Sequence, residues 1–223
     1  MNITNPLRRG MDVGRMLMAP LCAFVILHNG LQIYRNYHGA GELGALDILA
    51  EINALLLMSF YVFVASAYLQ RTSPKRSSQS WKDNAAAMAS TFLTAPLLVI
   101  CSTDVSSPFY LVLTGSVIAI AGLAFAVYSL ISLGSNFSII PQAREVVTRG
   151  PYKYLRHPLY LGEIVAIVGF VLAHVTLATI GILGMLILLQ VYRASREEKI
   201  LSSIDPNYED YVSKTFSFVP GIW

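Results

Sequence analysis

The stretch Arg149-Gly150-Pro151-Tyr152-Lys153-Tyr154-Leu155-Arg156-His157-Pro158-Leu159-Tyr160-Leu161-Gly162 turns a polar loop into an apolar segment, and the architecture follows from how that turn is read. Proline lacks an N–H and is tolerated in the first turn of a helix, so Pro158 predicts a helix start with His157 just before it. Beyond it, segments 159 to 174 and 176 to 192 form one apolar run of more than thirty residues, interrupted only near His174 to Thr176. One membrane span takes roughly 20 residues. The run is too long for a single span, and a tight helical hairpin is the simplest reading.

Working outward, four further apolar segments lie upstream, about 16 to 34, 46 to 69, 85 to 102 and 108 to 133. Of the 223 residues, 55% are hydrophobic and only 13% charged, whereas soluble domains carry roughly a quarter charged residues. The expectation is an all-α, multi-pass integral membrane protein of about six spans ending in the helical hairpin. Basic residues test this, because they gather in short cytoplasmic loops. Arg8, Arg9 and Arg15 precede the first segment; Arg71, Lys75, Arg76 and Lys82 follow the second; Arg144, Arg149, Lys153 and Arg156 follow the fourth; Arg193, Arg196, Lys199 and Lys214 follow the sixth. Only Arg35 falls on the other side. Six spans thus predict both termini, and the quoted stretch, on the cytoplasmic face.

The net charge of +3 is spread over four loops, which argues against a nucleic-acid partner. Cys22 and Cys101 sit in apolar segments without Cys or His companions, so they read as packing residues and no metal site is indicated. The first segment exceeds a signal-peptide core and contains His28 and Asn29, which predicts a retained span. The basic, Ser-rich stretch from Arg71 to Asp83 suits a mobile loop and the main internal boundary. Residues 1–107 then form three N-terminal helices, a possible acceptor-side region, and 108–223 a C-terminal core. The short link from Ser102 to Pro108 predicts that the third and fourth helices are antiparallel neighbours. In the tail, Tyr208, Tyr211, Phe216, Phe218 and Trp223 are spaced as if to lie along the interface.

Two motifs invite bland readings. Gly39-Ala40-Gly41-Glu42-Leu43-Gly44 matches a dinucleotide-binding pattern, but it lacks the strand and βαβ context the pattern requires and reads as a turn. His28, Gln32 and Arg35 share one helix face, with Glu51 and Asn53 near the same boundary. Buried ionisable groups in membranes usually pair, so a clamp between Glu51 and Arg35 or His28 is expected.

Two clusters ask for chemistry. A helix starting at Pro158 aims unpaired amides at the preceding loop, a seat for a carboxylate or phosphate, with Arg156 and His157 beside it. Tyr152, Tyr154 and Tyr160 offer flat faces to an adenine or a lipid head, and Gly150 and Gly162 permit close backbone approach; a basic-aromatic belt that merely anchors the span is the alternative. One hairpin later comes Arg193-x-x-Arg196-Glu197-Glu198-x-x-Leu201. Acidic residues at the C-terminal end of a helix oppose its dipole and need another reason to be there. Arg193 can pair with Glu197 at i,i+4, whereas Glu198 has Ala194 at that spacing and reads as free to bind a cation.

Together, Gly150-Pro151-Tyr152-x-Tyr154-x-Arg156-His157-Pro158-x-Tyr160-x-Gly162, the Arg193 to Leu201 motif and Tyr208-x-x-Tyr211 resemble the isoprenylcysteine carboxyl methyltransferase family and its phospholipid N-methyltransferase relatives, over residues 110 to 223. The resemblance implies an intramembrane methyltransferase that uses S-adenosyl-L-methionine without a Rossmann domain. It implies Tyr152, His157, Tyr160, Gly162, Glu197 and Glu198 as cofactor-binding residues, and Arg156 and Arg193 as catalytic residues that orient the acceptor. His157 as a general base is the alternative role for that residue. The implied partners are membrane lipids and a lipophilic acceptor entering from the bilayer, which is a prenylcysteine-like carboxylate, an amino-phospholipid, or a small lipophilic thiol or acid. Methyl transfer from a sulfonium is an in-line displacement for which no metal is expected, and no obligate protein partner is inferred. An NADPH-dependent sterol-type reductase and a non-enzymatic scaffold or transporter are the competing readings.

Overall fold

The computed structural model describes residues 13–39, 44–70, 76–77, 80–93, 107–137, 142–143 and 146–219. Seven α-helices occur among them: α1 (Val13–Gly39), α2 (Ala45–Gln70), α3 (Trp81–Phe92), α4 (Phe109–Leu133), α5 (Pro158–Ala173), α6 (Leu177–Ser202) and α7 (Tyr208–Lys214). Three segments are long and apolar enough to cross a membrane, Ala45–Ala67, Phe109–Leu133 and Leu177–Ser202. Of the other three expected spans, the first coincides with the more polar α1, the fifth with the 16-residue α5, and the described part of the third is the 12-residue α3. The long apolar helices expose Leu55, Val62, Val117, Ile131, Ile180, Met185 and Leu188. Such outward apolar surface is stable where lipid, not water, covers it.

The tightest contact joins α4 to α5. Small residues recur at i, i+4, i+7 and i+11 on both helices: Gly115, Ala119, Gly122 and Ala126 on α4, and Gly162, Ala166, Gly169 and Ala173 on α5, all buried. Without side chains in the way the backbones meet, and a Cβ on Gly122 would sit 2.3 Å from the Ala166 nitrogen. In lipid no hydrophobic effect drives helices together, so close backbone packing of this kind supplies the attraction. α1 lies on α2 and α2 on α4, and Val25, Phe60, Val64, Ala126, Leu130 and Tyr160 share one buried cluster. Cys22 packs into it as expected, while Cys101 lies outside the described residues.

The hairpin forms where the sequence breaks. Thr176 caps α6 in a reciprocal box: its hydroxyl accepts from the Thr179 amide at 3.1 Å, and the Thr179 hydroxyl accepts from the Thr176 amide at 3.0 Å. Two backbone donors that a helix start would strand are thereby satisfied.

In the stretch after α2, Arg76–Ser77 pairs antiparallel with Gln142–Ala143, the segment leading to the Arg149–Gly162 loop, and residues 71–75 and 78–79 lie outside the described residues. The described part of the third segment, α3, lies against α6, and the link expected to make that segment an antiparallel neighbour of α4 lies largely outside the described residues. The fully buried Asp83 of α3 accepts two bonds from Arg196, at 3.0 and 2.9 Å, and one from the Tyr192 hydroxyl at 2.7 Å. A buried carboxylate must be paired, and α6 carries the partners. The clamp on α1 and α2 is not formed: no ion pair among the described residues joins Glu51 to Arg35 or His28, and His28 stacks on Phe24 instead. Most of the Gly39–Gly44 motif lies outside the described residues.

Candidate functional site

The loop before α5 is held from two sides. Gly150 adopts φ +58°, and a Cβ there would meet the Ser132 hydroxyl at 2.5 Å, so only glycine lets the loop turn against the end of α4. On the other side the tail after α7 runs parallel to it. Phe216 N donates to Tyr154 O at 3.0 Å, Arg156 N to Phe216 O at 2.7 Å, and His157 N to Ser217 O at 3.1 Å. The Tyr211 hydroxyl closes the seam by donating to Tyr152 O at 2.7 Å. The tail aromatics expected along the membrane interface are thus partly drawn inward, with Tyr208 buried and Phe218 stacked on His157. Burial pushes the Tyr211 phenol up to about 12, with Arg156 opposing and Glu198 adding to the rise. Burial likewise raises Tyr152 and Tyr208.

This seam faces the end of α6, where the two sequence clusters meet. One oxygen of Glu198, Oε1, accepts from Arg156 Nε at 2.7 Å and Ser217 Oγ at 3.3 Å, and lies 3.0 Å from His157 Nε2. The Tyr160 hydroxyl donates to Glu197 Oε1, and Glu197 Oε2 stands 4.0 Å from His157 Nδ1. His157 is therefore flanked by both carboxylates, its ring parallel to Tyr160 at 5.5 Å. Glu198 is not the free anion its helical spacing suggested. Its Arg156 partner comes from a loop 42 residues away in sequence and Ser217 from the tail, which periodicity along α6 does not see. Each Glu keeps one oxygen, Oε2, on which no hydrogen bond among the described residues falls. Two such acceptors suit a ligand bearing positive charge or hydroxyl groups.

The two arginines part company. Arg156 braces the loop, its Nη1 donating to Thr215 O at 2.6 Å and Val212 O at 3.3 Å. Arg193 lies over the Tyr160 ring, 4.7 Å from its centroid, and its Nη1 donates to Ser90 Oγ at 2.9 Å and Gln190 Oε1 at 3.2 Å. Arg193 also lines a pocket enclosing about 990 Å³ of empty space, its open mouth included. Arg156 does not line it. The walls are apolar and come from α1 (Met18), α2 (Leu57, Phe60, Val64), α4 (Leu123) and α5 (Ile167, Phe170). The polar floor is Tyr160, Glu163, Gln190, Arg193 and Ser90. Tyr160 belongs to both places, lining the pocket and bonding Glu197. Gly162 faces α4, where a Cβ would lie 2.7 Å from the Ala126 nitrogen, and Tyr152 is buried behind the loop.

Sequence reasoning missed Glu163, Gln190, Ser90, Asp83, Ser217 and the stacking of Phe218. For Glu163 a signal existed, since a carboxylate inside an apolar segment is by default a functional candidate. Ser90 and Asp83 offered none, because their roles depend on the packing of α3 against α6.

Comparison with known proteins bears on the C-terminal half. Residues 113–203 match the model of the Isoprenylcysteine carboxyl methyltransferase (ICMT) family. That range lies in the C-terminal half and holds most of α4, the Arg156-His157-Pro158 loop, the hairpin and the Glu pair, so the resemblance read from those motifs is upheld and points to a membrane methyltransferase. The chain is also similar to the nickel-cobalt-cadmium resistance protein NccN of Alcaligenes xylosoxydans xylosoxydans, 37% identical over 81 residues, which cover 35% of this chain and 38% of that protein. The cobalt-zinc-cadmium resistance protein CzcN of Cupriavidus metallidurans is 33% identical over 76 residues, covering 34% of this chain and 35% of its own length. The chain therefore spans little more than a third of the curated relatives it matches.

Proposed function

We propose that this protein is an integral membrane methyltransferase that takes S-adenosyl-L-methionine from the cytoplasm and methylates a lipophilic acceptor drawn from the bilayer. The observation that carries the reading is the meeting of Arg156, His157 and Tyr160 with Glu197 and Glu198, inside the segment that matches the methyltransferase family. The residues fit the cofactor: Glu197 Oε2 and Glu198 Oε2 can accept from an ammonium group or a ribose diol, and the aromatic stack of Phe218, His157 and Tyr160 stands beside them. When bound, S-adenosylmethionine supplies a methyl group on a sulfonium centre. Arg156, Ser217 and His157 hold Glu198 in place, and Tyr160 holds Glu197, so both carboxylates are oriented before a ligand arrives. The acceptor occupies the adjoining pocket, with residues 1–107 contributing much of its apolar wall and Arg193 orienting its head. A prenylcysteine-like carboxylate, an amino-phospholipid, or a lipophilic thiol or acid has a tail that suits this wall. The cytoplasmic placement rests on fifteen of the sixteen basic residues falling in alternate loops.

Calorimetry of the purified protein with S-adenosylhomocysteine tests the reading, and absence of saturable binding refutes it. Glu198→Gln should weaken that binding about ten- to a hundredfold, from the roughly 1.5–3 kcal/mol that a hydrogen bond to a charged group contributes. Lys199→Gln, on an exposed neighbour, should leave it unchanged. Equal losses would refute the assigned helix face.

A further inference from the structure

Glu163 is a carboxylate on an apolar helix, one turn beyond Tyr160, and it lines the acceptor pocket. Gln190 Nε2 donates to its Oε2. No hydrogen bond among the described residues falls on Oε1. Gln190, Ser90 and Arg193 are all buried, so the floor is built from protein groups rather than opened to bulk water. Arg193 lines the same floor as Glu163. An ionisable group placed in such surroundings is expensive and normally functional. A carboxylate acceptor would bring a second carboxylate to a floor where Glu163 already places one. A neutral head bearing a hydrogen brings no charge and can donate to the open oxygen. Tyr160 links the floor directly to the Glu197 side of the site, so a methyl donor held by the Glu pair and an acceptor in the pocket meet beside it.

We infer that Glu163 is a catalytic residue that takes the acceptor's proton, and that the acceptor is a lipophilic molecule whose reacting head is a thiol, hydroxyl or amine rather than a carboxylate. The inference rests on the methyltransferase reading above. The acceptor's lone pair forms the bond to the methyl carbon, the methyl–sulfonium bond breaks with its electrons left on a neutral thioether, and the acceptor's proton passes to Glu163 Oε1. A sulfonium cation and a carboxylate anion are consumed together, and a dry, apolar pocket favours such a cancellation of charge.

The test uses four compounds of one alkyl chain ending in thiol, hydroxyl, primary amine or carboxylate. Binding of each to the cofactor-free protein is read by thermal shift, and transfer of tritiated methyl from S-adenosylmethionine by scintillation. The expected results are tighter binding and faster transfer for at least one protic head than for the acid, about tenfold or more, and a loss of about a hundredfold in that transfer in Glu163→Gln. S-adenosylhomocysteine affinity should stay unchanged in that variant, which shows that it has folded, Glu163→Asp should recover part of the rate, and Glu163→Gln should bind the acid better than the parent does. Preference for the acid, full transfer in Glu163→Gln, or no transfer to any protic head while S-adenosylhomocysteine binds would each overturn the inference and leave the methyltransferase reading standing. Failure of the parent protein to bind S-adenosylhomocysteine would overturn both.

Discussion

Replacing Gly122 by Ala adds one methyl group where α4 and α5 touch, and its cost can be worked from the backbone. The new Cβ would lie 2.3 Å from Ala166 N, 2.7 Å from Ala166 Cα and 2.8 Å from the carbonyl carbon of Val165. Non-bonded heavy atoms settle at about 3.5 Å or beyond, so α5 must retreat by about 1 Å. Backbone atoms cannot rotate aside as a side chain would. Overpacking of this kind costs about 1–3 kcal/mol, and obstruction by backbone belongs at the upper end. Alanine returns up to about 1 kcal/mol through helix propensity, which leaves a net loss of about 2 kcal/mol. Gly181→Ala on α6 is the control, because a Cβ there meets nothing within 4 Å and only the propensity gain remains. Reversible unfolding in mixed micelles, followed by circular dichroism, should place Gly122→Ala below the parent protein and Gly181→Ala at or above it. Because α5 carries Tyr160, which holds Glu197, a displacement of this size should also weaken S-adenosylhomocysteine binding in Gly122→Ala alone. Equal stability of the two variants would refute the claim that backbone contact holds α4 to α5.

Asp83→Ala should destabilise by about 2 kcal/mol, less than a fully buried ion pair because Arg196 is partly exposed; an unchanged unfolding midpoint would show that α3 is docked by something else. The phenol of Tyr211 is held above its ordinary value of 10, at about 12, so its contribution to stability is complete below about pH 10 and lost as pH rises through about 12. Tyr152 and Tyr208 shift in the same direction. Stability measured across that window should therefore fall less steeply in Tyr211→Phe than in the parent, and identical slopes would remove Tyr211 from the account.

Much of the C-terminal core was legible in the residues. Pro158 marked a helix start, the break near His174 to Thr176 marked the hairpin, and both are local signals that need no knowledge of the rest of the chain. The stripe of glycine and alanine on α4 and α5 was also present in the sequence, yet small residues in an apolar segment do not name the helix they will meet. The site was half legible. Arg156, His157, Tyr160, Glu197 and Glu198 stand out as residue types out of place beside membrane segments, whereas Glu163 is a single carboxylate whose signal is lost in the mean hydropathy of an apolar segment.

By itself, then, the sequence determined that the chain is helical and membrane-embedded, where its last hairpin turns, and which charged residues stand ready for chemistry, because these follow from hydropathy, proline and spacing along one chain. Only the tertiary structure decided that Glu198 is bound by Arg156 rather than free, that α3 docks on α6 through Asp83, and that Glu163 and Arg193 share a pocket with α1 and α2. Those outcomes depend on which distant backbone comes close enough to satisfy a buried charge, and periodicity carries no information about that.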